Sequence, residues 1–202
     1  MITKFKLFES RMSDQEIHAI CKEYRIKGYD INPDGSISVD GNVGLTRRSL
    51  KKIPLVFKEV SGSFYCYDNQ LTSLEGCPEK VGGSFDCTHN KLSSLEGCPE
   101  KVGGYFYCYR NNLASLEGCP EKVGGNFTCS YNQLTSLKDC PSARGIYCFN
   151  NQITSFEGIP EFWEGELNIS YIQSPFPEFR NSFKGSYLVI KTVYASSIRT
   201  SF

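Results

Sequence analysis

The chain has 202 residues, and its 22 lysines plus arginines balance its 22 aspartates plus glutamates, so the formal net charge is zero. That balance removes the compositional footprint of a protein that binds nucleic acid by neutralising phosphates. No apolar run approaches the roughly 20 residues of a membrane-spanning helix, and Lys4, Lys6, Glu9 and Arg11 interrupt the start of the chain where a signal peptide would carry its apolar stretch.

Residues 1–12 read as a flexible leader, amphipathic through Phe5, Leu7 and Phe8. Ser13 followed by Glu16 makes a capping box, and Ile17, Ile20, Cys21 and Tyr24 recur at helical spacing. The spacing predicts a helix from 13 to about 27 and an N-terminal capping unit over 13–35, covering apolar surface that the first repeat would otherwise expose. Asn32, Pro33, Asp34 and Gly35 form a turn in which proline fixes φ and glycine allows a positive one. Ile37 and Val39 alternate with Ser38 and Asp40 and lead to Asn42, a first, divergent rung separated from Asn69 by an over-long step. In that reading Leu50, Ile53 and Pro54 are the counterparts of Leu74, Cys77 and Pro78.

From Val60 onward one phrase is repeated. Asparagines mark its register at Asn69, Asn90, Asn111 and Asn132, each 21 residues on, and at Asn151 after 19. A fixed period of this length predicts a solenoid, here an array over 36–172. Within a unit, Phe106 and Cys108 fall on one side of a strand and Tyr105, Tyr107 and Tyr109 on the other. Phe and Cys recur in every full copy, which places them inside and the variable letters in solvent. Each asparagine ends its strand and is expected to bond backbone groups of adjacent turns. Leu113, Leu116 and Val123 return to the core, and Gly124 with Gly125 serves as conformational punctuation. Ile172 stands where the next asparagine should be, so the ladder fails there. Residues 173–202 form a C-terminal capping region, in which residues 187–194 read as a closing strand.

Ten cysteines suggest a disulfide scaffold until their places are compared. Cys66, Cys87, Cys108, Cys129 and Cys148 share one repeat position, and Cys77, Cys98, Cys119 and Cys140 share another. Both behave as small core positions, and equivalent cysteines on parallel strands suit a disulfide poorly. Reduced thiols, and with them a cytoplasmic compartment, are expected. No C-x-x-C pair exists and His18 and His89 are the only histidines, so neither a metal nor another cofactor is expected.

Asparagine, leucine at +2 and +5, proline at +9 and valine at +12 resemble a leucine-rich repeat of the short bacterial type. The phrase Leu-Thr-Ser-Leu-Glu-Gly-Cys-Pro is similar to that of leucine-rich-repeat proteins of large tailed bacteriophages and some bacteria. The resemblance implies a mainly β, curved parallel stack with a concave strand face and an interaction role, and it brings no catalytic residue. The leader's Leu7-Phe8-Glu9 is similar to the capsid-targeting leaders that phage prohead proteases remove.

The outward strand positions are the candidate partner-binding residues: Tyr65, Tyr67, Asp86, His89, Tyr105, Tyr107, Tyr109, Arg110, Tyr131, Tyr147 and Phe149. Tyrosine and arginine combine area with a polar handle and dominate binding hot spots. Tyrosines are also good strand formers that stack across rungs with nothing bound. His89 beside Asp86 has no matching nucleophile, and buried thiols are poor ones. The expectation is a non-enzymatic, monomeric protein-binding module, which in a phage would block a host factor. A packaged internal head protein and a glycan or small-ligand site on the tyrosines are the rival expectations.

Overall fold

In the computed structural model, the structure describes residues 11–154 together with the backbone of Glu166–Asn168 and Val189–Ile190. The 1–10 part of the leader and the remainder of the capping region lie outside the described residues. The chain opens with α1 (Asp14–Tyr24). Ser13 caps it: its Oγ accepts from the Glu16 N–H at 3.3 Å, and its own N–H donates to Glu16 Oε2 at 2.7 Å. Left-handed Arg25 ends the helix two residues before the predicted end. Its Ile17 and Cys21 are fully buried in the same core as the repeats, and the Arg48 guanidinium lies 5.0 Å above the Tyr24 ring, tying the helix to the first turn of the array.

The strands follow in chain order: β1 (Tyr29–Ile31), β2 (Ile37–Val39), β3 (Val43–Gly44), β4 (Phe57–Val60), β5 (Phe64–Tyr65), β6 (Lys80–Val81), β7 (Phe85–Asp86), β8 (Lys101–Val102), β9 (Phe106–Tyr107), β10 (Phe127–Thr128), β11 (Gly145–Tyr147), β12 (Glu166–Asn168) and β13 (Val189–Ile190). They make two sheets. The larger runs β13-β12-β11-β10-β9-β7-β5-β3 and is parallel throughout. The smaller runs β1-β2-β4-β6-β8, parallel except for the β1–β2 hairpin built on the predicted turn. The architecture is a mainly β solenoid of about five turns with one short N-terminal helix.

The turns up to β8 and β9 each contribute a strand to both sheets, and beyond them the smaller sheet continues only as the bridges Val102–Val123 and Lys122–Ser142, whereas the sequence pattern announced only the Phe-x-Cys strand. Although the strands of the larger sheet are short, their ladder continues past them. Phe64, Cys66 and Asp68 donate N–H to the carbonyls of Ser84, Asp86 and Thr88 at 2.9, 2.8 and 3.0 Å. The second strand is Lys-Val. Its lysines point to solvent, where Lys80 Nζ meets Glu59 Oε1 at 2.6 Å, while Val60, Val81, Val102 and Val123 are buried beneath.

The core between the sheets is a set of identical side chains stacked at the repeat spacing. Phe57, Phe64, Phe85, Phe106 and Phe127 form a ladder of rings with centroids 5.1–5.8 Å apart. The leucine pairs from Leu71 and Leu74 to Leu134 and Leu137 are fully buried. No disulfide joins any of the ten cysteines. Cys66, Cys87, Cys108, Cys129 and Cys148 are buried as expected, and the Cys87 and Cys108 thiols reach the Tyr107 and Thr128 carbonyls of the next turn at 3.4 and 3.5 Å. Of the second set only Cys77 is fully inside. Cys98, Cys119 and Cys140 are half-buried because they sit at the corner where the chain leaves the leucines. Burial still pushes the Cys98 thiol up to about 12.

Two readings of the repeat change, and the place of its shortened step is found. The first turn is not over-long. Asn42 stands in register with Ser63, whose N–H it accepts at 2.7 Å, and Arg48 occupies the place of the ladder asparagine. Accordingly Leu50, whose carbonyl accepts from Gln70, corresponds to Leu71, whose carbonyl accepts from Lys91, so Leu50, Ile53 and Pro54 each shift by three positions from the expected pairing. The shortened step to Asn151 arises between Ser142, which still bonds Glu121 at the regular repeat spacing, and Arg144, whose partner Gly125 lies two positions nearer in the chain. Finally, the glycine pairs do not supply unusual φ. A Cβ on Gly82, Gly103 or Gly124 would lie 2.1, 2.1 and 2.0 Å from the carbonyl oxygen of Ser61, Gly82 or Gly103, so glycine is demanded by the close approach of successive turns. Positive φ is used one corner earlier, at Gly76, Gly97 and Gly118, with Asp139 in the last of these places.

Candidate functional site

The larger sheet turns one side of every strand away from the core, and parallel register lines these residues up at about 4.8 Å per rung. Tyr65, Asp86, Tyr107, Thr128 and Tyr147 form a central column. Two residues further along each strand come Tyr67, Thr88, Tyr109, Ser130 and Phe149. Not all of this face is in solvent, as the alternation had suggested. Thr88 and Ser130 are buried, being the small members between larger neighbours, and Asp86, Tyr65, Tyr67, Tyr107, Tyr109, Tyr147 and Phe149 are half-buried. Of its aromatic rings, Tyr105 and Tyr131 stand out most, at 45% and 44% exposure, and His89 and Arg110 are exposed beside them.

A third column was not legible in the sequence. Arg47, Asp68, His89, Arg110, Tyr131 and Asn150 all adopt left-handed backbone, with φ between 54° and 55°. Each swings the chain from the strand into the ladder position that follows, Arg48 after Arg47 and an asparagine after the other five. Asp, Asn and His tolerate this region; for arginine and tyrosine it is unusual and costs on the order of 1 kcal/mol or more. Apart from Asp86 in the central column, this column carries the charges of the face. Asp68 accepts from the Arg47 Nε at 3.0 Å and pairs with the His89 ring. His89 and Arg47 together hold the Asp68 carboxyl below the usual carboxylate range. The left-handed turn thus carries His89 to the rung below, not to Asp86. Arg110 lies 5.3 Å above the Tyr131 ring, and Tyr131 meets Phe149 edge-on at 5.3 Å. Arg47, missing from the predicted set, also sits 6.0 Å over Tyr67. The misregistered first turn hid it, since one regular repeat step back from Asp68 finds it at once.

Beneath the face, Asn69, Asn90, Asn111, Asn132 and Asn151 form the predicted ladder. Asn111 is typical. Its Oδ1 accepts from Leu92 N–H at 3.0 Å, and its Nδ2 donates to the Cys87 and Cys108 carbonyls, both at 3.1 Å. The same bonds recur at Asn90, Asn132 and Asn151. The ladder locks the corner at which the third column turns, so the face stands on a fixed base.

No protein-family model, curated protein or solved structure matches the chain. The chemistry of the face itself therefore carries the functional reading. Tyr105 and Tyr107 stack at 5.8 Å and 17°, and burial pushes the Tyr107 hydroxyl's pKa up, with Tyr105, Asp86, Tyr109 and Tyr65 adding to it. The face thus divides into an ion chain (Arg47, Asp68, His89), a phenol and carboxylate centre (Tyr65, Asp86, Tyr105, Tyr107, Tyr109) and a cation and aromatic end (Arg110, Tyr131, Phe149). Such a surface is suited to holding a ligand by area and hydrogen bonds. Desolvation holds the Cys87, Cys108 and Cys129 thiols well above their ordinary pKa, which makes them poor nucleophiles. Among the described residues no helix is long and apolar enough to cross a membrane.

Proposed function

We propose that the chain is a non-enzymatic binding module that recognises a protein partner through the tyrosine-bearing face of its larger sheet. The observation that carries this reading is the retention of Arg110 and Tyr131 in left-handed backbone on that face. Strained bulky residues persist where the surrounding structure over-determines them, here the asparagine ladder, and they cluster at binding sites; at this corner they extend the cation and aromatic surface outward. Tyr105 and Tyr131 act as anchors that bury apolar area on contact, while tyrosine hydroxyls and the Arg110 guanidinium fix orientation. The repeated asparagine bonds and buried leucine pairs support a leucine-rich-repeat kinship, and the cysteines, joined by no disulfide, support a reducing, cytoplasmic setting. A phage origin and the blocking of a host factor rest on the resemblance of the repeat phrase alone.

Affinity capture from a bacterial lysate tests the reading, with wild type beside a Tyr107→Ala, Tyr109→Ala double variant. One protein retained by wild type and lost by the variant is expected. Because Tyr107 is half-buried and stacked on Tyr105, the variant gives up about 1 kcal/mol of stability but keeps its circular dichroism spectrum. Equal retention by both proteins would remove these tyrosines from the interface.

A further inference from the structure

Asp86 carries the only charge in the central column among the described rungs, and that charge is left over. The other charges of the face are occupied: Asp68 holds Arg47 and His89, and Arg110 covers Tyr131. Of the described residues, Thr88 alone serves it: its N–H donates to Oδ1 at 2.9 Å, and its backbone and side chain both act to lower the Asp86 pKa, against the larger effect of burial. Among the described residues no lysine, arginine or histidine nitrogen lies within 4.0 Å of it. Strand register sets Tyr65 on one side of it and Tyr107 on the other. Desolvation raises its carboxyl pKa, the mark of a half-buried anion short of compensation.

We propose that Asp86, between Tyr65 and Tyr107, seats a lysine or arginine side chain presented by the protein partner; this rests on the binding-face reading above. A partly buried carboxylate is costly until a cation meets it. A metal ion would require several oxygen donors, and the described residues gather no group of three or more metal-binding side chains. An ammonium or guanidinium needs less. One carboxylate oxygen accepts its N–H, and flanking aromatic rings attract it through their faces. Charge complementarity thus selects a basic segment of the partner.

The test uses the full chain and fluorescein-labelled pools of short random peptides in which the central position is fixed as Lys, Arg, Gln or Glu. Fluorescence polarisation with wild type is expected to show the Lys and Arg pools binding about tenfold tighter or more than the Gln and Glu pools, the loss typical of an unpaired interfacial charge. Asp86→Asn keeps the acceptor for Thr88 and sheds the under-solvated charge. It is expected to melt at or above the wild-type temperature while losing the preference. Glu100→Gln makes the same change of net charge beside β8, on the far side of the solenoid, and keeps it. Tyr107→Ala weakens the preference by removing one ring. Pools that bind wild type alike, or a preference that survives in Asp86→Asn, would overturn the assignment. If lysate capture still depends on the tyrosines, only the cation seat falls; if capture fails as well, the binding-face reading falls with it.

Discussion

Replacing Phe106 by alanine lowers the free energy of unfolding by about 3–5 kcal/mol. The ring is fully buried in the middle of the phenylalanine ladder, 5.1 Å from Phe85 and 5.5 Å from Phe127. Its loss opens a cavity shared by three turns, and neither neighbour can close on it without breaking its own contact to the next ring. Turns of a solenoid are held mainly by their neighbours, so the urea transition of the variant should also broaden as the two halves of the array lose coupling. Tyr107, the next residue, supplies the contrast. It faces the other side of the same strand and costs about 1 kcal/mol when truncated. A loss below about 1 kcal/mol for Phe106→Ala would show that the stack is not held by this ladder.

Asn111→Ala is expected to cost about 1–3 kcal/mol, the penalty of one buried donor left without a partner. That donor is the Leu92 N–H; the Cys87 and Cys108 carbonyls each lose one of two bonds and keep the one from Asn90 or Asn132. Asn111→Asp separates the donor half of the amide from the acceptor half. The aspartate still accepts from Leu92, but at neutral pH it turns a charged oxygen toward two carbonyls and is the less stable of the two variants. Acid relieves part of that loss, because the protonated carboxyl regains one donor. Chemical denaturation at pH 7 and at pH 4 reads both effects. Wild-type stability in Asn111→Asp at pH 7 would mean that the two carbonyls do not depend on the amide.

Much of this arrangement is legible in the sequence because repetition reports what one copy cannot. Phe and Cys recurring two apart, with variable letters between them, assign the inner and outer sides of the strand, and the burial of Phe85, Cys87, Phe106 and Cys108 follows. The constant step of the asparagines fixes parallel register. The second sheet is not legible, since Lys80–Val81 and Lys101–Val102 are too short to display alternation. The first turn misleads because Arg48 replaces the marker asparagine while Asn42, in another register position, imitates it. The left-handed column is invisible because no glycine announces it. Its residues are Arg, Asp, His, Tyr and Asn, held there by the ladder beneath. For the same reason the pairing of His89 with Asp68 depends on a backbone twist that side-chain spacing does not encode.

Hydroxyl-radical footprinting of the chain, alone and with the protein retained from lysate, tests the central claim most directly. Binding through the tyrosine-bearing face predicts that oxidation of Tyr105, Tyr107 and Tyr131 falls in the complex, while chemical acetylation of Lys80 and Lys101 on the opposite sheet is unchanged. Unchanged tyrosine oxidation together with protected lysines would contradict it and move the interface to the smaller sheet.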